Sequence, residues 1–128
     1  MTVVLDASAL LAALNGEPGG DSVASVFDEC VIGAVNLAEV AAGLVHHGNN
    51  AVQARAVLAA LDLEVIAADG ELAVDAGLLR AITDSAGLSL GDRFCFAVAR
   101  RLGAKVLTAD RAWVAVAKAS GVTVELIR

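Results

Sequence analysis

The first 54 residues contain no lysine or arginine, the chain has no tyrosine, and its only cysteines are Cys30 and Cys95. Each shortage excludes something. Two cysteines cannot build a disulfide framework or a cysteine-rich zinc site, and they read as small core residues. Aromatic residues at 3% leave little with which to read nucleic-acid bases by stacking. No apolar run approaches the ~18 uninterrupted residues of a membrane-spanning helix, although the mean hydropathy is +0.73. The N-terminal stretch lacks a basic leader and is interrupted at Asp6, which argues against a secretory signal. The expectation is a soluble, cytoplasmic protein without a membrane segment.

What is present points to one domain spanning residues 1–128. A chain of 128 residues with 58% hydrophobic and 19% charged residues is too apolar to remain disordered and long enough to bury a core. The net charge of −6 disfavours gripping nucleic acid by counterion release alone. Its distribution is uneven. Asp6, Glu17, Asp21, Asp28, Glu29 and Glu39 stand unopposed in the first part. Arg93, Arg100, Arg101, Lys105 and Arg111 make one locally basic segment.

Short β-branched runs alternate with helical patterns. Residues 2–6, 30–34, 63–67, 105–108 and 122–126 read as strands. Between them, apolar residues recur at helical spacing. One stripe is Leu37, Val40, Ala41 and Leu44. Another is Val74, Leu78 and Ile82, and a third is Phe94, Ala97, Val98 and Leu102. Each stripe is expected to bury one face against a sheet, with Trp113 as a packing anchor. Strands separated by helices imply right-handed crossovers and a parallel sheet, hence a three-layer α/β/α sandwich of about five strands.

Ligands of open parallel sheets bind outside the carboxyl ends of the strands. Asp6 and Ser8 follow the first strand, and Asn36 and Glu39 follow the second. Asp92 lies in the first turn of the helix before the fourth strand, which itself ends in Thr108-Ala-Asp110. Structural roles are available for every acid. Asn36-x-x-Glu39 and Ser89-x-x-Asp92 fit the capping-box spacing, and Asp6 or Asp110 can cap a following helix. Four carboxylates around one crevice nonetheless repel, by roughly 4 kcal/mol per pair at 4 Å and an effective dielectric of ~20. A cation offsets that repulsion, and an all-oxygen site suits Mg²⁺ or Mn²⁺ rather than zinc.

The blocks Val3-Val-Leu-Asp6-Ala-Ser8, Asn36-Leu-Ala-Glu39, Leu88-Ser-Leu-Gly-Asp92-Arg-Phe-Cys and Val106-Leu-Thr108-Ala-Asp110-Arg-Ala-Trp113 closely resemble the PIN-domain family. More narrowly, they resemble the VapC toxins of bacterial toxin–antitoxin pairs. The resemblance implies a Mg²⁺- or Mn²⁺-dependent endoribonuclease acting on RNA. Asp6, Glu39, Asp92 and Asp110 match its acidic catalytic and metal-binding quartet, and Ser8 and Thr108 match the small polar positions beside it. It also implies a cognate antitoxin lying across the active-site groove, and self-association as a homodimer. Arg93 and Arg111, next to two of the acids, are candidates for holding substrate phosphates. The acidic, apolar N-terminal half around Val26 and Phe27 is a candidate seat for the antitoxin.

Other features carry less. His46 and His47 close a helix and do not face each other as a metal pair. The loop Gly16–Gly20 lacks the Lys-Ser/Thr ending of a phosphate-binding loop. A phosphoaspartyl receiver would need an acid pair closing the first strand, and none is there. The remaining alternative is a non-catalytic metal-binding module on the same fold.

Overall fold

The computed structural model describes all 128 residues. Five short strands form one sheet: β1 (Val3–Leu5), β2 (Cys30–Gly33), β3 (Glu64–Ile66), β4 (Lys105–Thr108) and β5 (Val124–Leu126). Their order is β3-β2-β1-β4-β5 and every neighbouring pair is parallel. The chain walks outward from β1 to β3, then returns to place β4 on the other flank of β1. The order therefore reverses between β1 and β4, where a crevice opens at the carboxyl ends of the strands.

The central strands β1 and β2 are apolar on both faces because helices cover both, whereas the edge strands β3 and β5 carry the exposed Glu64 and Glu125. Side chains alternate along a strand, so Val4, Val31 and Val106, which lie in register, point to one side. They pack there with residues of α5 (Gly70–Leu78), α7 (Leu90–Leu102) and α8 (Val114–Ser120). Val3, Leu5, Ile32 and Leu107 point to the other side, against α1 (Ala7–Asn15), α3 (Ala34–His46) and Ala54 of α4 (Ala51–Ala59). The short helices α2 (Gly20–Ala24) and α6 (Arg80–Thr83) complete the chain. This is the expected α/β/α sandwich with a five-stranded parallel sheet.

One stripe is corrected. Val74, Leu78 and Ile82 lie on the solvent side, Leu78 at 70% exposure, whereas Leu72, Ala76 and Leu79 are buried. Both sets have helical spacing, and the chain here is apolar enough all round that periodicity alone favours neither. The buried set wins because Asp69 caps α5, accepting from the Leu72 amide at 2.8 Å, and is itself held by Arg101 of α7 at 2.9 and 3.0 Å. That tie fixes the rotation of α5 on α7.

Phe96 and Trp113 are fully buried and meet edge to face, with ring centroids 5.0 Å apart at 85°. Trp113 is thus a packing anchor. Truncating Phe96 to Ala is expected to lower the free energy of unfolding by about 3–5 kcal/mol, a large part of the ~5–15 kcal/mol of a small domain. Trp113, the sole tryptophan, reports the transition by fluorescence in a urea titration. A loss below ~1 kcal/mol would show that this pair is not central to the core.

Candidate active site

Asp6 is the residue at which β1 becomes α1. Its amide extends the ladder to the Leu107 carbonyl at 3.0 Å, and its carbonyl accepts from Ala9 and Leu10 to start the helix. It stands at the N-cap position, yet its side chain makes no capping bond. The carboxylate instead lies buried at the carboxyl end of the sheet, where Oδ2 accepts from the Ser8 hydroxyl at 2.6 Å and from the Thr108 hydroxyl at 2.8 Å. Each hydroxyl in turn accepts from a backbone amide, Ser8 from Ala109 at 2.9 Å and Thr108 from Asp110 at 3.0 Å. Two relays thus run from the turn after β4 into one oxygen of Asp6.

The other acids are built differently. β2 runs directly into α3, with Gly33 at the cap position, so Asn36 and Glu39 both lie inside the helix. Asn36 is not the N-cap that its spacing allows. It is fully buried, and its amide nitrogen donates to Glu39 Oε1 at 2.8 Å and to the Gly91 carbonyl at 3.0 Å. Ser89 and Asp92 do form a capping box at the start of α7, with Asp92 Oδ2 accepting from the Ser89 amide at 2.9 Å. Asp110 caps the 3₁₀ turn Arg111–Trp113, its Oδ1 accepting from Ala112 at 3.0 Å.

One rule covers all four. Each carboxylate spends one oxygen on the scaffold, and the second, Asp6 Oδ1, Glu39 Oε2, Asp92 Oδ1 or Asp110 Oδ2, receives no hydrogen bond of ordinary geometry. None of the four free oxygens is among the sealed, unpaired polar atoms.

Asp6, Glu39 and Asp92 also share a field. Burial raises the Asp6 carboxyl above the usual range, the two hydroxyls pull it back, and Asp92 pushes it up again. Glu39 is raised first by burial, with Asp6 and Asp92 adding to the shift against its bond to Asn36. Beneath them the fully buried Cys95 thiol is raised well above its ordinary value, by burial first and then by the same three acids. The charged groups acting on this centre are acids. Asp110 stands apart from that trio and joins the site through its amide on Thr108.

The donor set fits a hard divalent cation, being all oxygen and anionic. No three acidic, histidine or cysteine side chains converge closely enough to enclose an ion unaided.

The match to the PIN-domain family model runs over residues 3–119. The chain belongs to the PIN-domain family. Solved structures with the same fold include VapBC2 from Rickettsia felis bound to a promoter DNA fragment, at 18% identity and a TM-score of 0.76 over 98% of each chain. VapC20 from Mycobacterium tuberculosis, described as a sarcin-ricin loop cleaving toxin, matches at 19% identity and 0.72, over 89% of this chain and 94% of that one. VapBC-5 from the same organism is 25% identical, with a TM-score of 0.64 over 100% and 99% of the two chains. Comparison with curated proteins returns no match.

The basic candidates of this PIN domain separate. Arg93 is mostly buried, its Nε donating to Thr83 at 3.1 Å with Asp84 at 3.9 Å. Arg111 is exposed and in no ion pair. Val26 and Phe27 are half-buried against the core of the α1 side. Phe27 also lines an opening with Asp28, Asp62 and Glu64, at the amino ends of β2 and β3 and thus away from the acids. The largest cavity, about 720 Å³ between α3 and α4, contains none of the four acids. No helix is long and apolar enough to cross a membrane. Asn36 was readable only as a cap, and Gly91 carried no signal of its own beyond lying next to Asp92.

A carboxyl raised in the folded state holds its proton more tightly there than in the unfolded chain. Its stabilising contribution is complete below about pH 4, the unfolded value, and is lost as pH rises through the raised folded value. Asp6→Asn removes this loss. The stability of the metal-free variant relative to wild type is therefore expected to grow as pH rises from about 4 to 7. Thermal unfolding in EDTA measures it, and a difference independent of pH would contradict the burial cost assigned to Asp6.

Proposed function

We propose that this PIN domain is the toxin of a toxin–antitoxin pair, a VapC-type endoribonuclease that hydrolyses RNA phosphodiester bonds with Mg²⁺ or Mn²⁺. The observation that carries the reading is the free second oxygen on each of Asp6, Glu39, Asp92 and Asp110, at a centre whose charged neighbours are acids. The likeness to a toxin described as cleaving an RNA loop supports RNA as the substrate class. The toxin–antitoxin complexes among the structural neighbours support an antitoxin as partner.

In this reading Asp6, Asp92 and Asp110 would hold the cation, directly or through water, and Glu39 would hold it or orient water. When bound, the cation supplies positive charge that offsets the charge building on the phosphoryl oxygens and makes a nearby water more acidic. Glu39, the most open of the trio, would accept a proton from the attacking water as its oxygen bonds phosphorus in line and the bond to the leaving oxygen breaks, that oxygen taking a proton from solvent. Ser8 and Thr108 keep Asp6 in one orientation, so the site is ordered before substrate arrives. Arg111 is the available cation for a flanking phosphate, since Arg93 is committed to Thr83 and Asp84. Exposed Val74 and Leu78 on α5 offer apolar surface for the homodimer expected of such toxins.

Purified chain, free of partner, is expected to cut cellular RNA into discrete fragments with Mg²⁺ or Mn²⁺ and not in excess EDTA. Asp6→Asn is expected to reduce the rate by more than ~100-fold, and Ser8→Ala or Thr108→Ala by about 10–100-fold, the range for groups supporting a metal ligand. Cation binding without cleavage of any RNA would favour a non-catalytic binding module. Absence of cation binding would return the four acids to structural capping.

A further inference from the structure

We propose that Asn36 and Gly91 form a seat that positions the Glu39 carboxylate against the first turn of α7, and that cation affinity at the site depends on this seat. The inference rests on the metal-site reading above and assigns a role to two residues outside the acidic quartet.

Asn36 is fully buried in the helix that carries Glu39. Both hydrogens of its amide are used, one on Glu39 Oε1 and one on the Gly91 carbonyl. Those partners are acceptors only, so the orientation of the amide is dictated by its neighbours. Its own oxygen, Oδ1, is sealed from solvent and has no partner. An unpaired buried acceptor is destabilising, so core stability does not account for an asparagine here. The NH₂ group does, because it fixes one carboxylate oxygen and ties α3 to α7 at the residue before Asp92.

Gly91 supplies the opposite wall. A Cβ at this position would lie 2.5 Å from Glu39 Oε2, 2.8 Å from its Cδ and 2.9 Å from Oε1. The backbone of Gly91 is ordinary helix, in the first turn of α7, where alanine is a better helix former than glycine. Conformational freedom is therefore not the reason for glycine. Close approach of the Glu39 carboxylate is. The clashing atoms belong to the end of a flexible side chain, so a methyl group there would displace the carboxylate and leave the fold intact.

That separation of fold from seat makes the test. Mn²⁺ is titrated into metal-free wild type, Gly91→Ala, Asn36→Ala, the double variant and Asp6→Asn, beside thermal unfolding of each. Gly91→Ala is expected to unfold at the wild-type temperature or above it and to bind Mn²⁺ about 10–100-fold more weakly, the range for ligand-supporting groups. Asn36→Ala is expected to weaken binding similarly. The double variant should be no worse than the poorer single, since both changes release the same carboxylate. Should Asn36→Ala fail to fold, Gly91→Ala alone decides. Wild-type Mn²⁺ affinity in Gly91→Ala would overturn the seat while leaving the metal site standing, provided Asp6→Asn still loses binding. A loss of affinity matched by a loss of folding would also overturn it. If wild type takes up no Mn²⁺, the metal-site reading fails and the seat with it.

Discussion

The structure depends on holding one carboxylate, that of Asp6, at the reversal point of a parallel sheet. Burying a charge is costly unless it is paired with an opposite charge. Here the partners are two neutral hydroxyls, and the nearby charges are acids. The hydroxyls act as more than donors. Ser8 and Thr108 each take a backbone amide from the turn after β4 and pass a hydrogen bond to the same oxygen of Asp6. The end of β1, the first turn of α1 and the β4 turn are thereby locked together. Asp110 is fixed relative to Asp6 by its backbone, although the two side chains do not touch.

The same arrangement explains why the site lies where it does. Parallel strands covered on both faces must be apolar along their covered length; β1 complies until Asp6, and β4 does so between Lys105 at its open start and Thr108. The buried polar groups Asp6 and Thr108 enter at the carboxyl ends, where helices begin and backbone donors point outward. Asp6, Glu39 and Asp92 then oppose each other across a small crevice over Cys95. A species that binds only the folded chain and carries positive charge adds stability that grows with the logarithm of its concentration over Kd. The fold by itself works against this concentration of acids. Its stability is supplied by the two apolar layers on either side, in which Phe96, Trp113, Leu5 and Leu10 are fully buried.

Much of this was legible in the sequence for physical reasons. Strands such as Val3–Leu5 and Lys105–Thr108 are short runs rich in β-branched residues and bounded by polar ones, and their shortness and composition rather than their period mark them as strands. The alternation of strands and helices forces a parallel sheet, which brings the strand ends together and so assembles Asp6, Glu39, Asp92 and Asp110 on one edge. Periodicity failed in α5, where Leu72, Ala76 and Leu79 compete with Val74 and Leu78, and tertiary packing on α7, together with the contact between Asp69 and Arg101, selects the face. It failed again at Asn36. The capping-box pattern assumes a loop before the helix, but β2 enters α3 without one, which moves Asn36 into the first turn and toward Gly91. Arg93 turned inward for a similar reason, since Thr83 and Asp84 come from a segment whose placement no local pattern encodes.

Capping and catalysis are often weighed as rival explanations of an acid at a helix start. A carboxylate has two oxygens, and the rivalry disappears once each is followed separately. Asp92 and Asp110 cap their helical turns as the spacing predicts, and this use consumes one oxygen of each. The capping bond then removes rotamer freedom that a functional group would otherwise have to lose when it engages a ligand, and preorganisation of this kind is what makes a site effective. Asp6 and Glu39, which do not cap, are oriented instead by side-chain donors from Ser8, Thr108 and Asn36. The four acids thus reach one condition by two routes, one oxygen engaged with the scaffold and one without a hydrogen bond. Asp6, Glu39 and Asp92 act on one another's charge, which isolated structural caps do not, and this shared field is what sets the three apart from an ordinary row of helix starts.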